Sequence, residues 1–184
     1  MKPKTNSHLK NLKEDPLPSK ILCDTSFFVA LIVDDKSHRH RVAKRFAKRL
    51  RKEKVVIAVS SIIFSEFWRA AVNIVFTQAL GKIVVTKIIK EKPGLLKQYT
   101  TKISVLIGFF FAALKQFHSV IYIHPNIDII KRGLSLQNKF LLDVNDAIHT
   151  ASILYGRENN IVSFDSDFER ITNCNIWCRY SINK

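Results

Sequence analysis

Cysteine is scarce in this sequence, with three residues among 184. Cys23, Cys174 and Cys178 are an odd number, and none belongs to the paired C-x-x-C spacing of a zinc site. This pattern argues against a disulfide-stapled secreted domain and against a zinc knuckle. We therefore expect reduced thiols in or near the core and a reducing compartment, the cytoplasm.

Long apolar segments are also missing. The longest apolar run, at 105–114, has about half of the roughly 20 residues that a bilayer crossing requires. The segment 1–20 carries lysine and proline without an apolar stretch, which is not the pattern of a secretory signal. We expect no membrane span and no membrane partner.

Acidic residues are outnumbered two to one, because 15 Asp and Glu face 30 Lys and Arg, for a formal net charge of +15. So large an excess in a short chain creates a field that attracts polyanions, of which nucleic acid is one. A merely soluble basic protein is the alternative. We expect an anionic partner.

The length and the 47% hydrophobic content fit one domain with a buried core. Residues 1–19 are polar and basic, contain prolines near their end, and predict a flexible basic tail. The segment 20–184 is then a single domain. Within it, a stretch at about 77–101 is a longer helical or linker segment, interrupted by Pro93 and Gly94.

Short apolar runs alternate with helical periodicity along this domain. Strands are predicted at 21–23, 55–59, 120–123 and 161–162, and helices at 40–52, 62–80, 103–117, 126–137 and from about 143. This alternation predicts an α/β fold with a mainly parallel sheet covered on both faces. Sites in such folds form outside the carboxyl ends of the strands.

Two of the predicted helices have unusual surfaces. The helix at 40–52 presents one basic face, predicted to contact RNA phosphates, made of Arg41, Lys44, Arg45, Lys48, Arg49 and Lys52. The helix at 103–117 is apolar on nearly every side. We therefore expect that second helix to be buried in the core or in a subunit interface.

Four acids recur at matching places in the predicted fold. Asp24 follows the first strand, Glu66 lies on the helix after the second strand, Asp146 begins a helix, and Asp165 follows the 161–162 strand. Carboxylates crowded together repel one another and take up protons unless a cation neutralises them. Oxygen ligands of this kind suit Mg²⁺ or Mn²⁺.

Each acid alone also has a structural interpretation. Asp24 fits a turn, Asp146 fits a helix cap, and Glu66 lies one turn before Arg69 and could form an ion pair with it. Asp167 is either an additional metal or water ligand or the cap of the short turn after it. The four main acids together favour a functional site.

Four motifs in this order resemble the PIN domain, and in particular the VapC-type ribonuclease toxins of prokaryotic toxin–antitoxin pairs. They are Asp24-Thr25-Ser26, the segment 60–66 that ends on Glu66, Asp146-Ala147-Ile148-His149-Thr150-Ala151, and the segment 161–168 around Asp165. Ala147 directly after Asp146 fits the family pattern, which leaves Asp143 as the helix cap. No catalytic role is assigned to His149.

The resemblance implies a PIN-like three-layer α/β/α sandwich with a central, mainly parallel sheet, and a metal-dependent endoribonuclease. Asp24, Glu66, Asp146 and Asp165 would be catalytic and would hold Mg²⁺ or Mn²⁺, with Asp167 as a further ligand. The acids or the water would be oriented by the hydroxyl groups of Thr25, Ser26 and Ser163. The preference for RNA over DNA comes from the resemblance.

The resemblance also implies partners: a cognate antitoxin protein, if the chain is a toxin, and a second copy in a homodimer. The alternative function is a non-catalytic basic RNA-binding or protein-interaction module. Metal-dependent cleavage of RNA separates the two.

Overall fold

Six parallel strands form one sheet at the centre of the protein, in a computed structural model that describes residues 8–33, 37–81 and 85–179. The spatial order is β1-β6-β5-β2-β3-β4. In chain order these strands are β1 Leu9–Asn11, β2 Lys20–Cys23, β3 Val56–Ser60, β4 Ser119–Ile123, β5 Asn160–Val162 and β6 Asn175–Arg179. The prediction of a mainly parallel sheet is confirmed.

Helices cover both faces of the sheet. They are α1 Thr25–Ile32, α2 His38–Lys52, α3 Ile63–Leu80, α4 Val85–Glu91, α5 Gly94–Lys115, α6 Ile127–Phe140 and α7 Val144–Tyr155, followed by a 3-10 turn at Ser166–Arg170. One core packs side chains of α1, α2, α3 and α5 on the sheet, and the other packs those of α6 and α7. This is the predicted three-layer α/β/α arrangement.

The amino-terminal segment differs from its prediction as a flexible tail up to residue 19. Leu9 pairs with Ile176 in the parallel β1–β6 ladder, and both Leu9 and Leu12 are buried. The Arg49 guanidinium donates a hydrogen bond to the Leu12 carbonyl at 3.0 Å. Residues 8–19 are therefore part of the domain, whereas 1–7 lie outside the described residues.

The segment predicted as a long helical or linker stretch at 77–101 contains the end of α3, α4 and the start of α5, apart from 82–84, which lie outside the described residues. Its apolar side chains pack into a third cluster around Val75, Phe76 and Ile103. In α5, Phe110 is buried while Phe109 and Phe111 are exposed. The apolar helix thus has one face in the core and one on the surface.

Among the described residues, the helices are too short or too polar to span a bilayer. Cys23 and Cys174 are buried thiols.

Candidate metal centre

The order of the strands places β2 between β5 and β3, and the connections leave β2 and enter β5 over opposite faces of the sheet. A crevice forms outside the carboxyl ends of strands at such a switch point. Asp24 stands there, directly after the fully buried Ile21, Leu22 and Cys23. Its backbone N–H donates to the Val162 carbonyl at 3.1 Å, which continues the β2–β5 pairing by one bond.

One oxygen of Asp24 is fixed by three donors. Oδ2 accepts hydrogen bonds from the Ser26 hydroxyl at 2.6 Å, the Ser26 backbone N–H at 3.1 Å and the Ser163 hydroxyl at 2.9 Å. The two hydroxyl oxygens in turn accept the backbone N–H groups of Phe164 at 2.9 Å and Asp165 at 3.0 Å. The backbone thus directs both hydroxyl hydrogens at Asp24, and Oδ1 is left for the cleft.

Glu66 is held in a similar way from another element. It lies in the first turn of α3, and its Oε2 accepts hydrogen bonds from the Thr25 hydroxyl and from Nε2 of His149, the latter at 2.8 Å. Burial disfavours the charged carboxylate, but the hydrogen bond and charge of His149, with hydrogen bonds from Thr25 and Asn145, outweigh burial and lower the pKa of Glu66. The partner of Glu66 is therefore His149, and the expected alternative, an ion pair with Arg69, does not form.

His149 is fully buried, and its Nε2 lies 4.0 Å from Oδ1 of Asp24. Burial opposes a charged ring, yet the hydrogen bond to Glu66 and the charges of Asp24 and Glu66 raise the pKa of His149. Within the described chain, the ligand atoms of Asp24, Glu66 and His149 all lie within 4.8 Å of one another, so this group could hold a metal ion. Its oxygen donors suit a hard divalent cation.

Asp146 faces the same cleft from the first turn of α7, three residues beyond the cap formed by Asp143, which accepts the Asn145 backbone N–H at 2.9 Å. Burial and the charges of Asp24 and Asp165 raise the pKa of Asp146 from 3.8 to about 7. A divalent cation in the cleft would lower the pKa of Asp146 again, because it stabilises the ionised carboxylate.

Asp165 and Asp167 form the outer wall of the cleft, after β5. Asp165 caps the 3-10 turn by accepting the Asp167 backbone N–H at 2.9 Å, a role that was one of the two alternatives predicted for Asp167. Asp167 instead lies 2.8 Å from the Arg170 guanidinium in an ion pair. Asp165 therefore remains a candidate ligand, while Asp167 already has a cation beside it.

All five acids predicted for the site line one open cleft of about 380 Å³. Its wall includes residues that the sequence did not single out for the site: Arg69, Ala70, Asn73 and Asn145. Arg69 and Asn73 follow Glu66 at helical spacing on α3, a signal present in the sequence once Glu66 is placed. The sequence places His149 three residues after Asp146 and therefore near the site, but its contact with Glu66 could not be predicted, because the two residues lie on different helices.

The basic residues predicted to bind RNA lie on α2, whose apolar face packs in the core through Ala43, Phe46, Ala47 and Leu50. The polar face is exposed at Arg41, Lys44, Arg45, Lys48 and Lys52. Arg49 differs from these five because it is half-buried and binds backbone carbonyls of the amino-terminal segment.

Comparison with known proteins agrees with this geometry. Ribonuclease VapC6 of Methanocaldococcus jannaschii is 24% identical over 157 residues, which cover 84% of this chain and 94% of that protein. A family model described as the PIN domain matches residues 21–173, which include every acid of the cleft. The match extends over most of the sequence, and the chain therefore belongs to the PIN domain family.

Proposed function

We propose that this protein is a metal-dependent endoribonuclease that hydrolyses phosphodiester bonds in RNA. The observation that carries the proposal is the convergence of Asp24, Glu66, Asp146 and Asp165 on one cleft at the switch point of the sheet. The similarity to a protein named Ribonuclease VapC6 supports RNA as the substrate.

In this proposal Asp24, Glu66, Asp146 and Asp165 hold Mg²⁺ or Mn²⁺, and Asp167 is a ligand only if it leaves Arg170. The bound ion would supply Lewis-acid chemistry, making water a nucleophile at neutral pH and stabilising the leaving oxygen. The hydroxyls of Thr25, Ser26 and Ser163 orient the carboxylates, because each already donates to one of them.

The substrate would be bound by cations on two elements. Arg69 is exposed on the wall of the acidic cleft, where it fits a phosphate next to the one that is cut. The exposed basic residues of α2 supply further phosphate contacts, at Arg41, Lys44, Arg45, Lys48 and Lys52. Arg49 is left out of this set because its guanidinium holds the amino-terminal segment.

We also propose a toxin role, with an antitoxin protein as partner, which the similarity to the VapC-type relative supports. A cytoplasmic location fits the buried thiols of Cys23 and Cys174.

A homodimer is proposed through an exposed aromatic surface formed by Phe64, Trp68, Phe111 and Tyr122. The Phe64 ring stacks between Phe111 and Tyr122, with both centroid distances at 5.9 Å, while Trp68 is 58% exposed. Tyr122 belongs to β4, the edge strand of the sheet. Exposed aromatic side chains such as Trp68, Phe111 and Tyr122 are enriched at protein interfaces.

The test is an RNA cleavage assay with purified protein and a structured RNA. We expect cutting with Mg²⁺ or Mn²⁺, no cutting with EDTA, and loss of about 100-fold or more in rate for Asp24→Asn and Asp146→Asn, since each removes a ligand charge. Asp128→Asn is the matched control, because Asp128 is an exposed acid of α6 that does not line the cleft.

Gel electrophoresis of the RNA products measures the cleavage. Metal-independent cutting, or full activity in both cleft variants, would contradict the proposal. Binding of RNA without any cleavage would favour the non-catalytic RNA-binding module instead.

A further inference from the structure

The side chain of His149 reaches the acids from beneath the cleft. It lies three residues after Asp146 on α7 and is fully buried, with Nε2 2.8 Å from Oε2 of Glu66. The other ring nitrogen, Nδ1, is also buried and has no hydrogen-bond partner among the described residues. The two nitrogens therefore have very different surroundings.

These surroundings determine where hydrogen sits on the ring. A neutral ring with its hydrogen on Nδ1 would bury an N–H without an acceptor. It would also place the Nε2 lone pair against a carboxylate oxygen only 2.8 Å away, which is repulsive. In a neutral ring the hydrogen is therefore on Nε2, and a charged ring carries hydrogen there as well.

A nitrogen that carries hydrogen cannot be a metal ligand. If Nε2 bound an ion, Nδ1 would have to carry the hydrogen, and ligating histidines almost always donate that hydrogen to an acceptor. The structure provides Nδ1 with no acceptor in the described part of the chain. The closeness of Nε2 to Asp24 and Glu66 thus reflects donation to Glu66 rather than coordination.

We propose that His149 is a positioning residue: its Nε2–H and the Thr25 hydroxyl together hold Oε2 of Glu66, so that Glu66 offers its other oxygen to the ion. This inference rests on the proposed metal-dependent function. Glu66 then resembles Asp24, whose Oδ2 is likewise held by side-chain donors of the protein.

The test measures Mn²⁺ binding to the full chain from the electron paramagnetic resonance signal of free Mn²⁺. His149→Gln keeps an N–H donor near the position of Nε2, and His149→Leu removes it. We expect affinity within about 3-fold of wild type for the glutamine variant and about 10- to 100-fold weaker binding for the leucine variant. Ser152→Ala, another buried polar change on α7, should leave affinity unchanged, because the Ser152 hydroxyl donates to the Ile148 carbonyl within its own helix.

A second measurement does not use His149→Leu and therefore remains informative if that variant fails to fold. Pulsed spectra of Mn²⁺ bound to the wild-type protein should lack the nitrogen coupling of a ligating imidazole. Nitrogen coupling that disappears in His149→Gln would overturn the proposal and make His149 a ligand.

The remaining outcomes separate this inference from the proposed function. Wild-type affinity in a folded His149→Leu variant, together with metal-dependent RNA cleavage by the wild type, would overturn only the positioning role. A wild-type protein that binds no Mn²⁺ would overturn both.

Discussion

Asp24 and Glu66 differ from Asp146 in what surrounds their charge. The first two receive hydrogen bonds from serine, threonine and histidine side chains. Asp146 is partly buried beside other acids, and burial together with the charges of Asp24 and Asp165 raises its pKa to about 7. Ionisation of Asp146 is therefore the step that a divalent cation assists most.

This difference predicts a pH dependence. The folded protein holds a proton on Asp146 that the unfolded chain releases near its ordinary pKa of 3.8, so this stabilisation is complete below that value and is lost as pH rises to about 7. In thermal denaturation without metal, we expect wild type to lose more stability from about pH 5 to about pH 8 than Asp146→Asn does. Addition of Mn²⁺ at the higher pH should restore the thermal stability of the wild-type protein. Equal losses in the two proteins would contradict the raised pKa.

Arg69 carries a second prediction at this scale. Because it faces the cleft without an ion pair to Glu66, Arg69→Ala should raise the KM for RNA by about 10-fold and leave Mn²⁺ affinity unchanged. The dependence of RNA binding on salt should also weaken by about one phosphate contact. Lys131→Ala, which removes an exposed cation of α6, is the control. An unchanged KM would show that RNA does not use Arg69.

At the scale of elements, β1 is the least expected part of the fold. It has three residues, and only Leu9 and the nearby Leu12 are buried, yet Leu12 belongs to the same core cluster as Phe46 and Trp177. The segment therefore contributes packing in addition to the β1–β6 hydrogen bonds.

Truncation of Leu12 tests this contribution. Leu12→Ala should lower the free energy of unfolding by about 2–5 kcal/mol, because it leaves a cavity in a closed core. Leu134→Ala, at a leucine of α6 that is 61% exposed, should change it by less than about 0.5 kcal/mol. Urea denaturation measures both. Similar small effects would mean that the amino-terminal segment is loosely attached.

The sequence predicted those strands and helices that leave a pattern in neighbouring residues of the chain. Apolar runs such as 21–23 and the 3.6-residue periodicity of α2 and α6 were sufficient to give the parallel sheet and its two helical layers. The four main acids could be placed because each adjoins such an element. The assignment of this layered α/β fold to the PIN family came from the order of the motifs, and the family match confirms it.

The features that depend on contacts between residues far apart in the chain could not be predicted from local sequence patterns. Strand β1 requires Ile176 beside it, and without that partner the lysines around it and the prolines that follow resemble a tail. The donation from His149 to Glu66 joins residues 83 positions apart. The cap of the 3-10 turn is Asp165 and not Asp167, which had capping as one of its two predicted roles, because the turn begins at Ser166.

Across the whole molecule, the charge is divided between a positive surface and an acidic cleft. The net charge of +15 attracts RNA over long distances, while the cleft itself repels phosphates until a cation enters. Binding and cutting are thus separable: we expect RNA to bind the metal-free protein through the basic surface.

The exposed aromatic surface belongs to this scale because a second molecule would cover it. Phe111→Glu places a charge on the stacked rings of Phe64 and Phe111 and should convert a dimer into monomers, as measured by sedimentation. Leu134→Glu, a similar change on the exposed side of α6, should leave the mass unchanged. A wild-type protein that is monomeric at all concentrations would contradict the proposed interface.

The acids of the cleft extend along the chain from residue 24 to residue 165, and β1 near the beginning pairs with β6 near the end. During synthesis, a growing chain therefore contains Asp24 and Glu66 long before Asp165 has emerged from the ribosome. A nascent chain that stops before Asp165 lacks one of the four carboxylates, and one that stops before Ser163 also lacks one of the two serines that fix Asp24. Under the proposed function, the messenger RNA being translated is therefore not cut by its own product until Asp165 has emerged and folded into the cleft.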